Sequence, residues 1–159
     1  MKIVEYEFSL ASSIDFLRNP GGTPVLDYPH LLYDNLKNLK LNKYGAGPFV
    51  LLQLTPQPPE EMGVYAVVQD SEKVNYIGET DNSFKKRWQG GASKISPRNC
   101  YKGGQSTNCR LNRLIQEAIT AGHRLDLYVL PTPDHQRIED ELIEKLQPPW
   151  NKKGIRKQV

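Results

Sequence analysis

A chain of 159 residues with 38% apolar residues has the size of one domain and enough apolar content for a modest core. A net charge of +3 is too small to argue by itself for a polyanionic partner, and no stretch is long and apolar enough to span a bilayer. No signal peptide opens the chain, so a cytoplasmic protein with free thiols at Cys100 and Cys109 is expected.

Residues 1–47 read as a separate, helical N-terminal extension. Ser9 or Ser12 starts a short helix that Pro20 and Gly21-Gly22 stop. A second helix puts Leu32, Leu36 and Leu39 on one face until "KYGAGP" breaks it. "FVLLQL", residues 49–54, is a β-rich run closed by "TPQPPEEM". "GVYAVV" and "VNYIG" are β-branched and aromatic runs separated by a polar turn, which predicts a β-hairpin. If Ser71-Glu72 is a two-residue loop, Tyr65 lies opposite Gly78 and Tyr76 opposite Val67. Both phenols then share a face. The neighbouring glycines leave room for a backbone or ligand to approach.

A short helix follows near "DNSFKKRWQ", capped by Asp81 or Ser83 and ended by Gly90-Gly91. A loop leads to a helix that starts at Ser106 or Thr107 and runs to about Ala121. Its Leu111, Leu114, Ile115, Ala118 and Ile119 follow the helical period. "LDLYVL", residues 125–130, reads as another strand. "PDHQRIEDELIEKLQ" is a final helix capped by Asp134 and ended by Pro148-Pro149. All charged residues from Phe84 to Arg113 are Lys or Arg, and the tail from Asn151 carries four more basic residues and no acid. Two acid-free basic segments point to a polyanion.

One carboxylate stands out. At about 100° per residue, Glu139 falls inside the apolar stripe of Ile138, Leu142, Ile143 and Leu146, whereas Asp140, Glu141 and Glu144 fall towards solvent. A carboxylate there needs a partner, a proton or a metal. It is either a structural ion pair at the stripe edge or a functional group facing the sheet.

"GVY" and "YIG", with ten residues between the tyrosines, resemble the GIY-YIG nuclease motif, with Val64 in place of isoleucine. Arg87, eleven residues after Tyr76, resembles the family's helix arginine. Glu139 and Asn151, the latter after "QPPW", resemble its glutamate and asparagine. The resemblance covers roughly residues 49–153, and the long 97–115 segment is most similar to stand-alone GIY-YIG restriction endonucleases. It implies an α+β fold with a small three-stranded antiparallel sheet flanked by helices, as a nuclease domain at 48–159. Many members carry His or Tyr four residues after the arginine. Here that position is Gly91, and Tyr101 or Lys85 are candidates for the role.

The resemblance implies a DNA endonuclease that hydrolyses phosphodiester bonds with Mg²⁺ or Mn²⁺. Glu139 is then the metal ligand, Arg87 the phosphate donor, and Tyr65 the group that activates water after a nearby cation acidifies it. Tyr76 positions water or phosphate, and Asn151 fixes the geometry. Lys85, Lys86, Lys94, Arg98, Lys102, Arg110, Lys152, Lys153 and Arg156 are the expected contacts to double-stranded DNA. A homodimer, a cognate methyltransferase encoded nearby, and a repair or RNA-processing role remain open. So does a non-cleaving nucleic-acid-binding module on the same fold. A zinc site from Cys100, Cys109, His123 and His135 matches no spacing with tight pairs.

Overall fold

The computed structural model describes residues 1–152. Along the chain run β1 (Lys2–Ile3), β2 (Tyr6–Glu7), β3 (Ser9–Phe16), β4 (Leu26–Asp27), β5 (Phe49–Val50), β6 (Leu52–Thr55), β7 (Gly63–Gln69), β8 (Lys73–Thr80), α1 (Phe84–Gln89), α2 (Ser106–Thr120), β9 (Leu125–Pro131) and α3 (His135–Leu146). Short 3₁₀ turns lie at Pro29–Leu32 and Pro97–Cys100. The expected α+β class holds, but the main sheet has five strands in the order β6-β3-β9-β7-β8, not three. The pairs β3–β9, β9–β7 and β7–β8 are antiparallel.

Of the two additional strands, β6 lies largely in the run read as β-rich, and β3 comes from misread sequence. The predicted helix from Ser9 is β3, in which Ser12, Ile14 and Phe16 are buried and the residues between them are not. That period of two is the strand signature. Ser12 points inward and donates to the Pro56 carbonyl at 2.6 Å, so it caps no helix. The second predicted helix shrinks to the 3₁₀ turn Pro29–Leu32. Beyond it, the Asn35 carboxamide brackets the N–H and C=O of Leu39, and Asn38 adopts a left-handed backbone with φ 52°. These local bonds compete with a helix. Leu31, Leu32 and Leu36 are exposed instead of lining a buried face. The N-terminal extension is therefore not helical.

The chain divides into two compact units, and residues 1–47 contribute to both. The first comprises residues 1–14, 54–87 and those from 123 onward; the second comprises 15–53 and 88–122. In the first unit, Val64, Ala66, Val68 and Ile77 of the hairpin pack with Ile138 and Leu142 of α3 and with Ile3 and Phe8. In the second, Phe49, Ile95, Cys100, Tyr101 and Cys109 form the core. There the Asn112 carboxamide bonds the N–H and C=O of Val50 and the C=O of Ala92, which ties α2 to β5.

The hairpin reaches the expected register by another turn. Tyr65 lies opposite Gly78 and Tyr76 opposite Val67, but Gln69 pairs with Lys73, leaving a three-residue loop. Asp70 and Ser71 take left-handed conformations with φ 53° and 63°. Asn75 is an extra residue between Val74 and Tyr76, and this bulge restores the parity at the tyrosines. Asp70 fixes the loop by accepting from Arg124 N–H at 3.0 Å and from His123 Nδ1 at 2.8 Å.

The helix ends follow chemistry legible in the sequence. Ser83 Oγ accepts from Lys86 N–H at the start of α1. Gln147 closes α3 in a left-handed conformation before Pro148. Asp134 precedes α3, but its carboxylate accepts from Arg137 rather than from the helix backbone.

Glu141 of α3 accepts from Lys145 at 2.9 Å and from the Tyr6 hydroxyl of β2 at 2.8 Å. Lys145 first, then Tyr6, hold its carboxyl down at about 2. A depressed carboxyl stabilises the fold above its unfolded value of 4.5 and loses that contribution as pH falls towards 2. Glu141→Gln should therefore lower the melting temperature at pH 7, and the gap to the parent protein should close on acidification through that window. A gap that is constant with pH would contradict this reading.

Candidate active site

The centre of the site is Tyr65, whose relative exposure is 1%. Its ring lies 6.3 Å from that of Tyr76 at 30° between planes, and edge-on to Phe84 of α1 at 6.5 Å. Gly78 sits directly opposite. A Cβ at residue 78 would fall 2.5 Å from both Cζ and the hydroxyl oxygen of Tyr65. The glycine therefore holds no approach open to a ligand; the Tyr65 ring fills that room. Gly63 is closed in the same way by the Leu130 carbonyl of β9.

α1 delivers the next group. Its N-terminal cap at Ser83 fixes the first turn, and Arg87 Nε donates to the Tyr65 hydroxyl at 3.2 Å. Two opposed effects act on that phenol. Burial raises its pKa, Arg87 lowers it by charge and hydrogen bond, and the charges of Glu139 and Glu79 raise it again. The balance is upward, so acidification by a neighbouring cation, as the sequence reading required, does not prevail. The same proximity of Tyr65 raises the pKa of Arg87, which stays a cation.

Glu139 is half-buried in α3, next to Ile138 in sequence. The apolar stripe of α3 covers Val64, Ala66 and Ile77, on the face opposite the tyrosines, and Leu146 is exposed rather than part of it. Glu139 flanks the stripe within electrostatic reach of the Tyr65 hydroxyl.

Asn151 follows α3 and pairs with the outer edge of β8. Its Oδ1 accepts from Ile77 N–H at 2.9 Å, and its Nδ2 donates to the Ile77 carbonyl at 2.8 Å. Trp150 N–H donates to the carbonyl of the bulged Asn75 at 2.9 Å. Backbone groups that an edge strand would leave open are thus satisfied by the segment after α3.

Two residues absent from the sequence reading pair on the α3-covered face of the sheet, opposite the tyrosines. Glu79 lies at the end of β8, and His135 opens α3. His135 Nδ1 approaches Glu79 Oε2 to 2.6 Å, with side-chain exposures of 9% and 16%. The signal was present: His135 stands four residues before Glu139, on the same helix face, and Glu79 three after Tyr76.

The other predicted residues are dispersed. Lys85 pairs with Glu60 at 3.3 Å, while Lys86 and Lys152 are exposed. Lys94, Arg98, Lys102 and Arg110 belong to the second unit. The Arg98 guanidinium donates to the carbonyls of Tyr101 and Lys102, stapling its own loop. Lys153 and Arg156 lie outside the described residues. Tyr101 donates to the His30 carbonyl in the second unit at 2.9 Å. The four residues of the zinc alternative, which the spacing had disfavoured, lie apart. Cys100 and Cys109 are buried thiols of the second unit, with burial pushing Cys100 up to about 12; His123 is on Asp70 and His135 on Glu79.

Among the described residues no three ligand-type side chains converge on a metal position. Glu139 offers a single half-buried carboxylate. That fits Mg²⁺, which keeps several waters and takes one or two carboxylates plus substrate phosphate, better than it fits a metal held in a protein cage.

Neither protein-family models nor curated proteins give a match. A solved structure of bacteriophage T4 EndoII, in a mutant form, is similar with a TM-score of 0.48 and 19% identity, covering 72% of this chain and 87% of that one.

If the Tyr65 ring depends on the absence of a side chain at 78, Gly78→Ala must displace it. We expect a loss of about 1–3 kcal/mol in chemical denaturation, as for other overpacked sites. Tyr65→Leu combined with Gly78→Ala should recover part of it. A single variant as stable as the parent would show that the ring is not seated there.

Proposed function

We propose that this protein is a metal-dependent DNA endonuclease that hydrolyses phosphodiester bonds, of the restriction type. The observation that carries the reading is the cluster of Arg87, Tyr76 and Glu139 around the buried Tyr65 hydroxyl. The resemblance of "GVY", "YIG", Arg87, Glu139 and Asn151 to the GIY-YIG pattern supports it independently of that geometry.

Hydrolysis sends water onto phosphorus while negative charge grows on the non-bridging and leaving oxygens. Arg87, a fixed cation beside Tyr65, meets that charge with planar donors suited to two oxygens. Tyr65, held protonated by its burial, acts as a hydroxyl donor that orients the phosphate or the water. Tyr76 lines the same face. Asn151 acts at one remove, by holding the edge of β8 at Ile77, next to Tyr76. Glu139 would hold Mg²⁺, or Mn²⁺ in its place, which when bound supplies charge neutralisation at the phosphate and the leaving oxygen.

Nine of the 21 Lys and Arg but only four of the 18 Asp and Glu lie in the second unit. That surplus supports phosphate contacts from Lys94 and Lys102, which are exposed there, and duplex DNA as the substrate. A cognate methyltransferase protecting self DNA is the partner a restriction enzyme needs, and a homodimer would place two such sites on a symmetric target.

The test is cleavage of unmethylated plasmid with Mg²⁺. Tyr65→Phe should slow it by about 10²-fold or more, the usual effect of deleting one transition-state donor, and Glu139→Ala should abolish it while both proteins keep the parent's circular dichroism. Full-rate cleavage by both variants would sink the assignment. Tight, salt-sensitive binding with no cleavage by the parent would instead favour a non-cleaving module.

A further inference from the structure

The second unit holds three leucines out of its core. Leu31, Leu32 and Leu36 are 73%, 77% and 85% exposed. One exposed leucine is ordinary, but three in so short a stretch of chain mark a surface that something covers.

The backbone beneath them is tied down. The Asn35 carboxamide accepts from the N–H of Leu39 and donates to its carbonyl, both at 2.8 Å, which closes a loop over residues 35–39. Leu36 N–H donates to the Asp34 carbonyl at 3.0 Å, and Asn38 N–H to the Asn35 carbonyl at 3.1 Å. Asn38 takes a left-handed conformation, φ 52°, which Asn tolerates better than most residues. Leu36 and Lys37 stand at the tip of this closed loop, both exposed. The flanks are fixed to a second segment. On one side the Tyr101 hydroxyl donates to the His30 carbonyl at 2.9 Å, and the Tyr33 and Tyr101 rings lie 5.0 Å apart. On the other, Lys102 N–H donates to the Lys40 carbonyl at 2.8 Å and Asn42 Nδ2 to the Asn99 carbonyl at 2.7 Å. A loop held out this way loses little freedom when it binds.

Charge decides what covers it. Every charged residue at 35–53 and 88–116 is Lys or Arg, and Lys37, Lys40, Lys43 and Lys102 are exposed. Asp34, one residue before the loop, is the nearest acid in sequence. A second copy of this chain would set those cations against themselves. A polyanion matches them. Duplex DNA also has a place for the leucine, because apolar wedges enter its minor groove and part stacked base pairs while cations meet the phosphates.

We infer that the loop at 35–39 is a DNA wedge: Leu36 enters between base pairs, and Lys37, Lys40 and Lys102 hold the flanking phosphates. This rests on the reading of duplex DNA as the substrate. It gives the second unit a role of its own, which is to unstack and bend the duplex that the nuclease cluster cuts.

The experiment compares the parent, Leu36→Ala and Lys37→Gln on unmethylated closed plasmid, with Ca²⁺ in place of Mg²⁺. Affinity is measured across salt concentrations. Unstacking is read as the linking number that remains after a topoisomerase relaxes the plasmid with protein bound. The parent should lower the linking number. Leu36→Ala should bind about tenfold more weakly, as expected for one leucine side chain no longer buried, and leave the linking number unchanged at saturating protein. Lys37→Gln should keep the unwinding and reduce the salt slope by about one. The replaced side chains are exposed, so all three proteins should melt alike. Affinity and linking number in Leu36→Ala equal to the parent's overturn the wedge, and cleavage by the parent then leaves the nuclease reading standing. Unwinding that depends on Leu36, with no cleavage in Mg²⁺, keeps the wedge and refutes the nuclease. Leu36-dependent binding to phosphatidylserine vesicles instead of plasmid, or a DNA-free dimer that Leu36→Asp breaks, overturns the wedge in favour of a lipid surface or a second copy.

Discussion

The rest of the site depends on one steric fact: the ring of Tyr65 lies against a residue with no side chain. Gly78 opposite Tyr65 lets the phenol lie flat across β8, where Arg87 reaches its hydroxyl and the Tyr76 ring stands beside it. A one-residue slip of the hairpin would turn every side chain of β8 to the other face. It would oppose Tyr65 to a side chain instead of a hydrogen. The bulge at Asn75 and the left-handed Asp70 and Ser71 therefore set the register that seats the Tyr65 ring on Gly78.

Burial then decides the electrostatics. In water a phenol beside a guanidinium would be acidified. Inside the sheet desolvation wins, and two carboxylates reinforce it. The guanidinium and the phenol thus stand as a hydrogen-bonded pair, Arg87 Nε donating to the Tyr65 hydroxyl. The edge of β8 carries a comparable constraint. Asn151 and Trp150 satisfy backbone groups there and tie the end of α3 to the strand that carries Tyr76.

What could be read from residues alone follows from how local the signals are. The hairpin, α1, α2 and α3 were legible because caps, glycines and periodicity sit within each segment. Tyr65, Tyr76, Arg87, Glu139 and Asn151 were singled out by their resemblance to the GIY-YIG pattern, and Glu139 also by its place inside an apolar stripe. β3 was missed because serines read as caps, while the alternation Ser12, Ile14, Phe16 shows its meaning only once β9 is alongside. Leu32, Leu36 and Leu39 look helical by period, yet Asn35 and Asn38 bend the backbone first, and Leu32 and Leu36 are left exposed. The pairing of Glu79 with His135 left no local signal, although each stands at a regular spacing from a residue singled out in the sequence. They are 56 positions apart in sequence and become a pair only when β8 and α3 pack.

The most direct measurement is a crystal structure of the protein with an uncleaved DNA duplex and Ca²⁺, which occupies oxygen sites without supporting turnover. The account predicts one backbone phosphate in hydrogen-bond reach of Arg87 and the Tyr65 hydroxyl, with the cation on Glu139. A duplex whose phosphates all lie away from that cluster, or a cation held elsewhere with Glu139 turned to solvent, would contradict it.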